Sequence, residues 1–133
     1  MSDRNKAILS LIYKLIELDK KFDIREQKYL HDIAESLKLS SNEIKEVILN
    51  PESFELVPPP SEQERMMILY YILFAMRIDG KILPTEEDMV YDIGIKLGFR
   101  ETMLNDMIKV MKKHLHKRIK PDTLISIIRK YHN

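Results

Sequence analysis

Apolar residues recur three and four positions apart along the first half of the chain, as Ile8, Leu11, Ile12 and Leu15 in one run and Tyr29, Leu30, Ile33 and Leu37 in the next. That spacing keeps them on one face of an α-helix, whereas a strand face would need alternation at every second residue. Ile44 and Ile48 continue the pattern into a third run. The most apolar stretch, "MMILYYILFAM" from Met66 to Met76, is apolar all round and bounded by Arg65 and Arg77. It is expected to be the buried central helix. It falls well short of the ~20 residues needed to cross a bilayer, so no transmembrane segment is expected.

Sliding the chain on itself by about 60 residues lays "LDKKFDIREQKYLHDIAESLKL" on "IDGKILPTEEDMVYDIGIKLGF" without a gap. Asp19 then pairs with Asp79, Lys21 with Lys81, Glu26 with Glu86, Asp32 with Asp92, Ile33 with Ile93 and Leu37 with Leu97, all identities. Ile8, Leu9 and Ile12 fall on Ile68, Leu69 and Ile72, and Ile44 and Ile48 on Leu104 and Ile108. Such self-similarity at a fixed period marks a duplicated supersecondary unit. The expectation is an all-α chain of about seven helices, with two pseudo-symmetric three-helix repeats and a C-terminal helix. Residues 1–133 form a single domain on this reading: repeat one at 1–50, a Pro-rich crossover at 51–60, repeat two at 61–120 and a closing helix at 121–133.

Punctuation residues support these boundaries. Ser40 with Glu43, and Ser61 with Glu64, have the spacing of a capping box, in which hydroxyl and carboxylate each accept an amide left free at a helix start. "NPESFELVPPPS", Asn50 to Ser61, holds four prolines, which remove amide donors and push their predecessors to extended geometry. It is expected to be a rigid spacer, with Phe54, Leu56 and Val57 packing on the core. Pro121 suits a first helical turn, and "TLISIIRKYH" after it has helical spacing.

Composition narrows the function classes. With 22 basic and 21 acidic side chains the formal charge is +1, so no global field draws the chain to nucleic acid or anionic lipid. Cysteine is absent, which removes disulfides, thiolate nucleophiles and Cys-based metal sites and suits a reducing compartment. The N-terminal stretch breaks its apolar residues with Lys14 and Glu17 and has no small-residue cleavage site, so a signal peptide is not expected. The expected location is cytoplasmic. No Gly-rich phosphate loop, H-E-x-x-H or Ser elbow occurs, and enzyme chemistry is not expected.

One turn invites a metal reading. In "RIDGKILPTEED", Arg77 to Asp88, an Asp-Gly step precedes Glu86 by the distance that separates the fifth and twelfth positions of a calcium loop. Placing Gly80 on the loop glycine, however, puts Ala75 and Arg77 where the first and third carboxylates belong. It is not an EF-hand. The alternative is structural: Asp23 with Glu26 has the D-x-x-E spacing of a cap at the start of the second helix, and Glu86 holds the matching slot behind Leu83 and Pro84.

An amphipathic helix, an acidic turn, a short apolar step and a helix opened by Glu, the whole unit doubled in register, resembles the TerB-like family of tellurite-resistance proteins and co-chaperone N-terminal domains. The resemblance covers roughly Asp3 to Tyr131. It implies an all-α domain of about seven helices with pseudo-twofold halves, and acidic turn residues of the kind proposed to hold a divalent cation. Carried onto this chain, those residues are Asp79 and Glu86, with Asp19 and Glu26 as counterparts. The chain departs from the family's pattern at Lys20, which replaces the first-half glycine, at Leu18 and Ile78, which stand where alanine is usual, and at Leu83, which stands where a capping Ser or Asp is common.

The strongest local field is "KVMKKHLHKRIK", Lys109 to Lys120, which contains no acid. Cations here complement the negative pole of the sixth helix, and they also suit an anionic partner. Acidic protein surface or lipid headgroup is preferred to nucleic acid, because no aromatics lie between the cations for base stacking. His114 and His116, two apart on a helix, point roughly 200° from each other and do not form a zinc pair. Met103, Met107 and Met111 lie one above another, as either core or an adaptable groove. The expected function is a non-catalytic protein-interaction module of the TerB-like kind, stress or envelope linked, with Lys109, Lys112, Lys113, Lys117 and Arg118 facing an unidentified protein, a membrane-associated one included. The alternative is a divalent-cation-binding sensor that uses the acidic turns; no other cofactor is expected.

Overall fold

Among the described residues, six named α-helices and a 3-10 turn follow the apolar runs in order. The structure is a computed structural model and describes residues 2–18, 24–78, 80–115, 126–127 and 129–130. α1 spans Ser2–Glu17, α2 Ile24–Ser36 and α3 Ser41–Leu49, with the 3-10 turn at Pro51–Ser53. α4 spans Glu62–Met76, α5 Pro84–Lys96 and α6 Glu101–Lys113. There is no strand among the described residues. The expected count of about seven is close. Within the expected closing helix at 121–133, Ser126, Ile127, Arg129 and Lys130 are helical, and the other residues lie outside the described ones.

The duplication read from the sequence is visible in the helix starts. Ser2 and Glu62, Ile24 and Pro84, and Ser41 and Glu101 open corresponding helices at a single spacing. Packing repeats it too: α1 touches α2 and α3 as α4 touches α5 and α6, α1 and α4 lie against each other, and α1–α5 mirrors α2–α4. The centre is therefore a pair of helices, not α4 alone. Ile8, Leu9, Ile12, Leu15 and Ile16 of α1 and Ile68, Leu69, Ile72, Leu73 and Met76 of α4 are all fully buried. Each such side chain contributes roughly 1.5–3 kcal/mol of transfer free energy, which is why two near-continuous apolar stripes find each other.

Polar groups inside this core are satisfied across elements. Ser10 of α1, fully buried, donates its hydroxyl to the Pro51 carbonyl at 2.6 Å and ties the 3-10 turn to the central pair. Asn5 Nδ2 donates to the Leu37 carbonyl at 3.0 Å at the end of α2, and the Tyr29 hydroxyl of α2 donates to the Tyr71 carbonyl of α4 at 2.7 Å. That last bond joins the two halves.

The α2–α3 and α5–α6 turns are also matched. Leu39 N donates to Ala34 O at 3.0 Å and Phe99 N to Gly94 O at 3.1 Å, closing equivalent left-handed caps at Lys38 (φ 58) and Gly98 (φ 92). Two expectations need correction. Ser61 accepts from Glu64 N at 3.3 Å, but the Glu64 carboxylate takes Arg4 Nη1 at 2.6 Å, whereas Ser40 and Glu43 form both bonds of their box. In the crossover Leu56 is buried and Phe54 half-buried, but Val57 is 75% exposed.

Candidate functional site

The acidic turns come first, because burial changes their meaning. Glu26 and Glu86 are the buried carboxylates among the described residues, each 1% exposed and each in the first turn of its helix, α2 or α5. Glu86 Oε1 accepts the Leu83 amide at 2.9 Å. Leu83 has no side-chain oxygen to return, so this is half a capping box, and the Glu86 amide that a cap serine or aspartate would take is donated to the Leu83 carbonyl at 3.0 Å instead. Asp19 and Asp79 lie outside the described residues.

The donor chemistry suits a hard cation, since carboxylate oxygens are what magnesium and calcium take. One of Glu86's two oxygens is committed to Leu83, and no group of three or more His, Asp or Glu close enough for a metal occurs among the described residues. Glu26 and Glu86 could thus supply part of an oxygen shell but not a complete one.

Beside the second turn lies a cavity of about 410 Å³, lined among others by Arg25, Tyr29, Phe74, Arg77 and Gly80. Arg77, at the C-terminal end of α4, sits 5.8 Å from the Phe74 ring centroid, and burial lowers the pKa of its guanidinium. Burial raises the pKa of the Tyr29 phenol above its ordinary value, with a smaller electrostatic contribution from Tyr71. Periodicity does not single these residues out, because they come from the beginning of α2 and the end of α4 and meet only through the pairing of the halves.

The basic segment divides on inspection. Lys109, Lys112 and Lys113 are exposed on α6, opposite the buried face of Met103, Leu104, Met107, Ile108 and Met111. The methionine stripe is core. Lys112 pairs with Glu87 of α5 at 3.2 Å, while Lys109 and Lys113 make no ion pair among the described residues. His114, half-buried at the C-cap, has Nδ1 3.1 Å from the Val110 carbonyl. Lys117 and Arg118 lie outside the described residues, as does His116. No helix among the described residues is long and apolar enough to cross a membrane. Compared with family models, curated proteins and solved structures, the chain matches none.

Proposed function

We propose that this chain is a non-catalytic protein-interaction module of the TerB-like kind, working in the cytoplasm in a stress- or envelope-linked role, with the basic end of α6 taking an acidic protein surface. The observation that carries the reading is the exposure of Lys109 and Lys113 on one stripe of a helix whose other face is locked into the core. A partner meets a preformed backbone and pays chiefly for ordering two lysine side chains. Charge of this kind raises the on-rate and sets orientation more than it adds affinity, and it weakens with salt over a Debye length of about 8 Å at physiological ionic strength.

The test is affinity capture with the wild-type chain and a Lys109→Glu/Lys113→Glu variant. Lys112 is left intact because it serves the α5–α6 contact through Glu87. The reversed variant should lose salt-sensitive partners while keeping the wild-type melting temperature; an unchanged set of partners removes α6 from the reading.

A second reading is favoured by one observation, the burial of Glu26 and Glu86 at equivalent helix starts. Buried carboxylates gain from a cation, and a divalent ion held with Asp19 or Asp79 would couple ligation to the packing of α2 and α5 on the central pair. Thermal melts in chelator and with calcium, magnesium, manganese or zinc decide it. At a hundredfold excess over Kd, ligation adds about 2.7 kcal/mol and raises the midpoint by roughly 10 °C. The shift should appear for wild type and vanish for the Asp19→Asn/Asp79→Asn double variant; no shift with any ion sinks the sensor.

A further inference from the structure

The cavity beside the second turn is walled by cations and aromatic rings. Arg25 and Tyr29 reach it from α2 and Phe74 and Arg77 from α4, and no carboxylate lines it among the described residues. Two guanidiniums from different halves thus border one space of about 410 Å³. By contrast, a cavity of about 370 Å³ between α1, the crossover and α5 balances its own charges, Lys14 pairing with Glu52 and Lys96 with Glu55, each at 3.7 Å.

The repeat shows that the fold does not require these side chains. At the 60-residue shift Arg25, Tyr29, Phe74 and Arg77 fall on Thr85, Met89, Lys14 and Glu17, and with those residues α5 meets α1 as α2 meets α4. Helix ends account for one of the two cations. Arg77 closes α4, where the negative pole favours it, whereas Arg25 stands in the first turn of α2, where the positive pole opposes it. Both guanidiniums keep contacts of their own, but each has five N–H donors, and the Nη1 atom of Arg77 is buried with no hydrogen bond. The burial that lowers the Arg77 pKa is what an anion beside it would offset.

We infer that this cavity binds a small organic anion, its carboxylate or phosphate held by Arg25 and Arg77 and its apolar body against Tyr29 and Phe74. The guanidinium fork matches either head group with two parallel N–H donors. The Tyr29 hydroxyl is committed to the Tyr71 carbonyl at 2.7 Å, so this residue offers its ring. Arg77 lies 5.8 Å from the Phe74 ring centroid, which sets a charged and an apolar contact side by side. The volume falls within the roughly 300–1,000 Å³ of small-molecule sites, and a bare inorganic ion would leave most of it unfilled. The inference rests on neither the lysines of α6 nor a bound cation.

Titration of the isotope-labelled full chain with phenyl phosphate and with benzoate, followed by amide chemical shifts in the presence of chelator, tests it. Near pH 7 a phosphate monoester carries about −1.5 to −2 charge. The Tyr29 and Gly80 amides should shift saturably, with a Kd of about 1 mM or tighter for at least one probe, and the tighter of the two identifies the head group. Inorganic phosphate and benzyl alcohol, which each lack one part of the ligand, should bind at least tenfold more weakly. Arg25→Gln, at the exposed start of α2, should weaken binding at least tenfold with an unchanged melting temperature, and Arg77→Lys, which keeps the charge but gives up the fork, should weaken it too. The inference is overturned by the absence of a saturable shift with either probe at tenfold that concentration, or by an affinity indifferent to Arg25→Gln. Inorganic phosphate binding as tightly as phenyl phosphate, or shifts confined to the lysines of α6, would overturn it as well.

Discussion

Lys38 is the residue at which one half is less well adapted than the other. It occupies the left-handed region at φ 58 to end α2, the conformation Gly98 adopts at φ 92 to end α5. A side chain there places Cβ against the following carbonyl, a cost of roughly 1–2 kcal/mol that glycine avoids, offset in part by the entropy glycine loses on folding. Lys38→Gly is expected to stabilise the chain by about 0.5–1 kcal/mol, seen as a higher urea midpoint with an unchanged m-value. A lower midpoint would mean that Lys38 contributes a contact larger than its strain. Glu86 shows the complementary lesson: its spacing to the helix start was legible as a cap, while its burial was not, since burial depends on α5 lying against α4.

At the scale of elements, α5 and α6 meet where glycine lets them. Gly94→Ala would improve the intrinsic helix propensity of α5 by about 1 kcal/mol. It would also drive a methyl into Leu104, whose Cγ lies 3.1 Å from the new atom and which is fully buried. Overpacking of this kind costs typically 1–3 kcal/mol. The net expectation is a loss of stability, read as a lower thermal midpoint, and Leu104→Ala in the same chain should relieve the clash so that the two changes are not additive. Ala34 at the matching place shows that the first half has already settled for a wider separation.

For the whole molecule the relevant pattern is the placement of the tyrosines. Tyr29 and Tyr70 are raised by burial, Tyr13 first by its hydrogen bond to Glu17, and Tyr91 by desolvation and then by Glu101. A folded pKa above the ordinary 10.0 means that the folded state holds the phenolic proton more tightly than the unfolded chain does. The corresponding stability is fully present below about pH 10 and declines as pH rises through the folded values. Urea unfolding should therefore give a flat midpoint near neutrality and a falling one above about pH 10. Tyr29→Phe should reduce the alkaline slope while costing about 1 kcal/mol at neutral pH, because the Tyr71 carbonyl loses its donor. An identical slope in the variant would assign the alkaline loss to the other tyrosines.

Helical periodicity and proline and cap spacing determined, without any structure, that the chain is all-α, and self-alignment showed where its halves correspond. Those features depend on residues near one another in sequence, where the 3.6-residue turn and the needs of helix ends leave few alternatives. Tertiary structure decided that α1 shares the centre with α4, that Glu26 and Glu86 are buried, that Glu64 serves Arg4 in place of its cap, and that Lys112 is tied to Glu87 while Lys109 and Lys113 face outward. Each of these is a contact between distant positions, and what a side chain meets there depends on how whole helices pack, which no local spacing encodes.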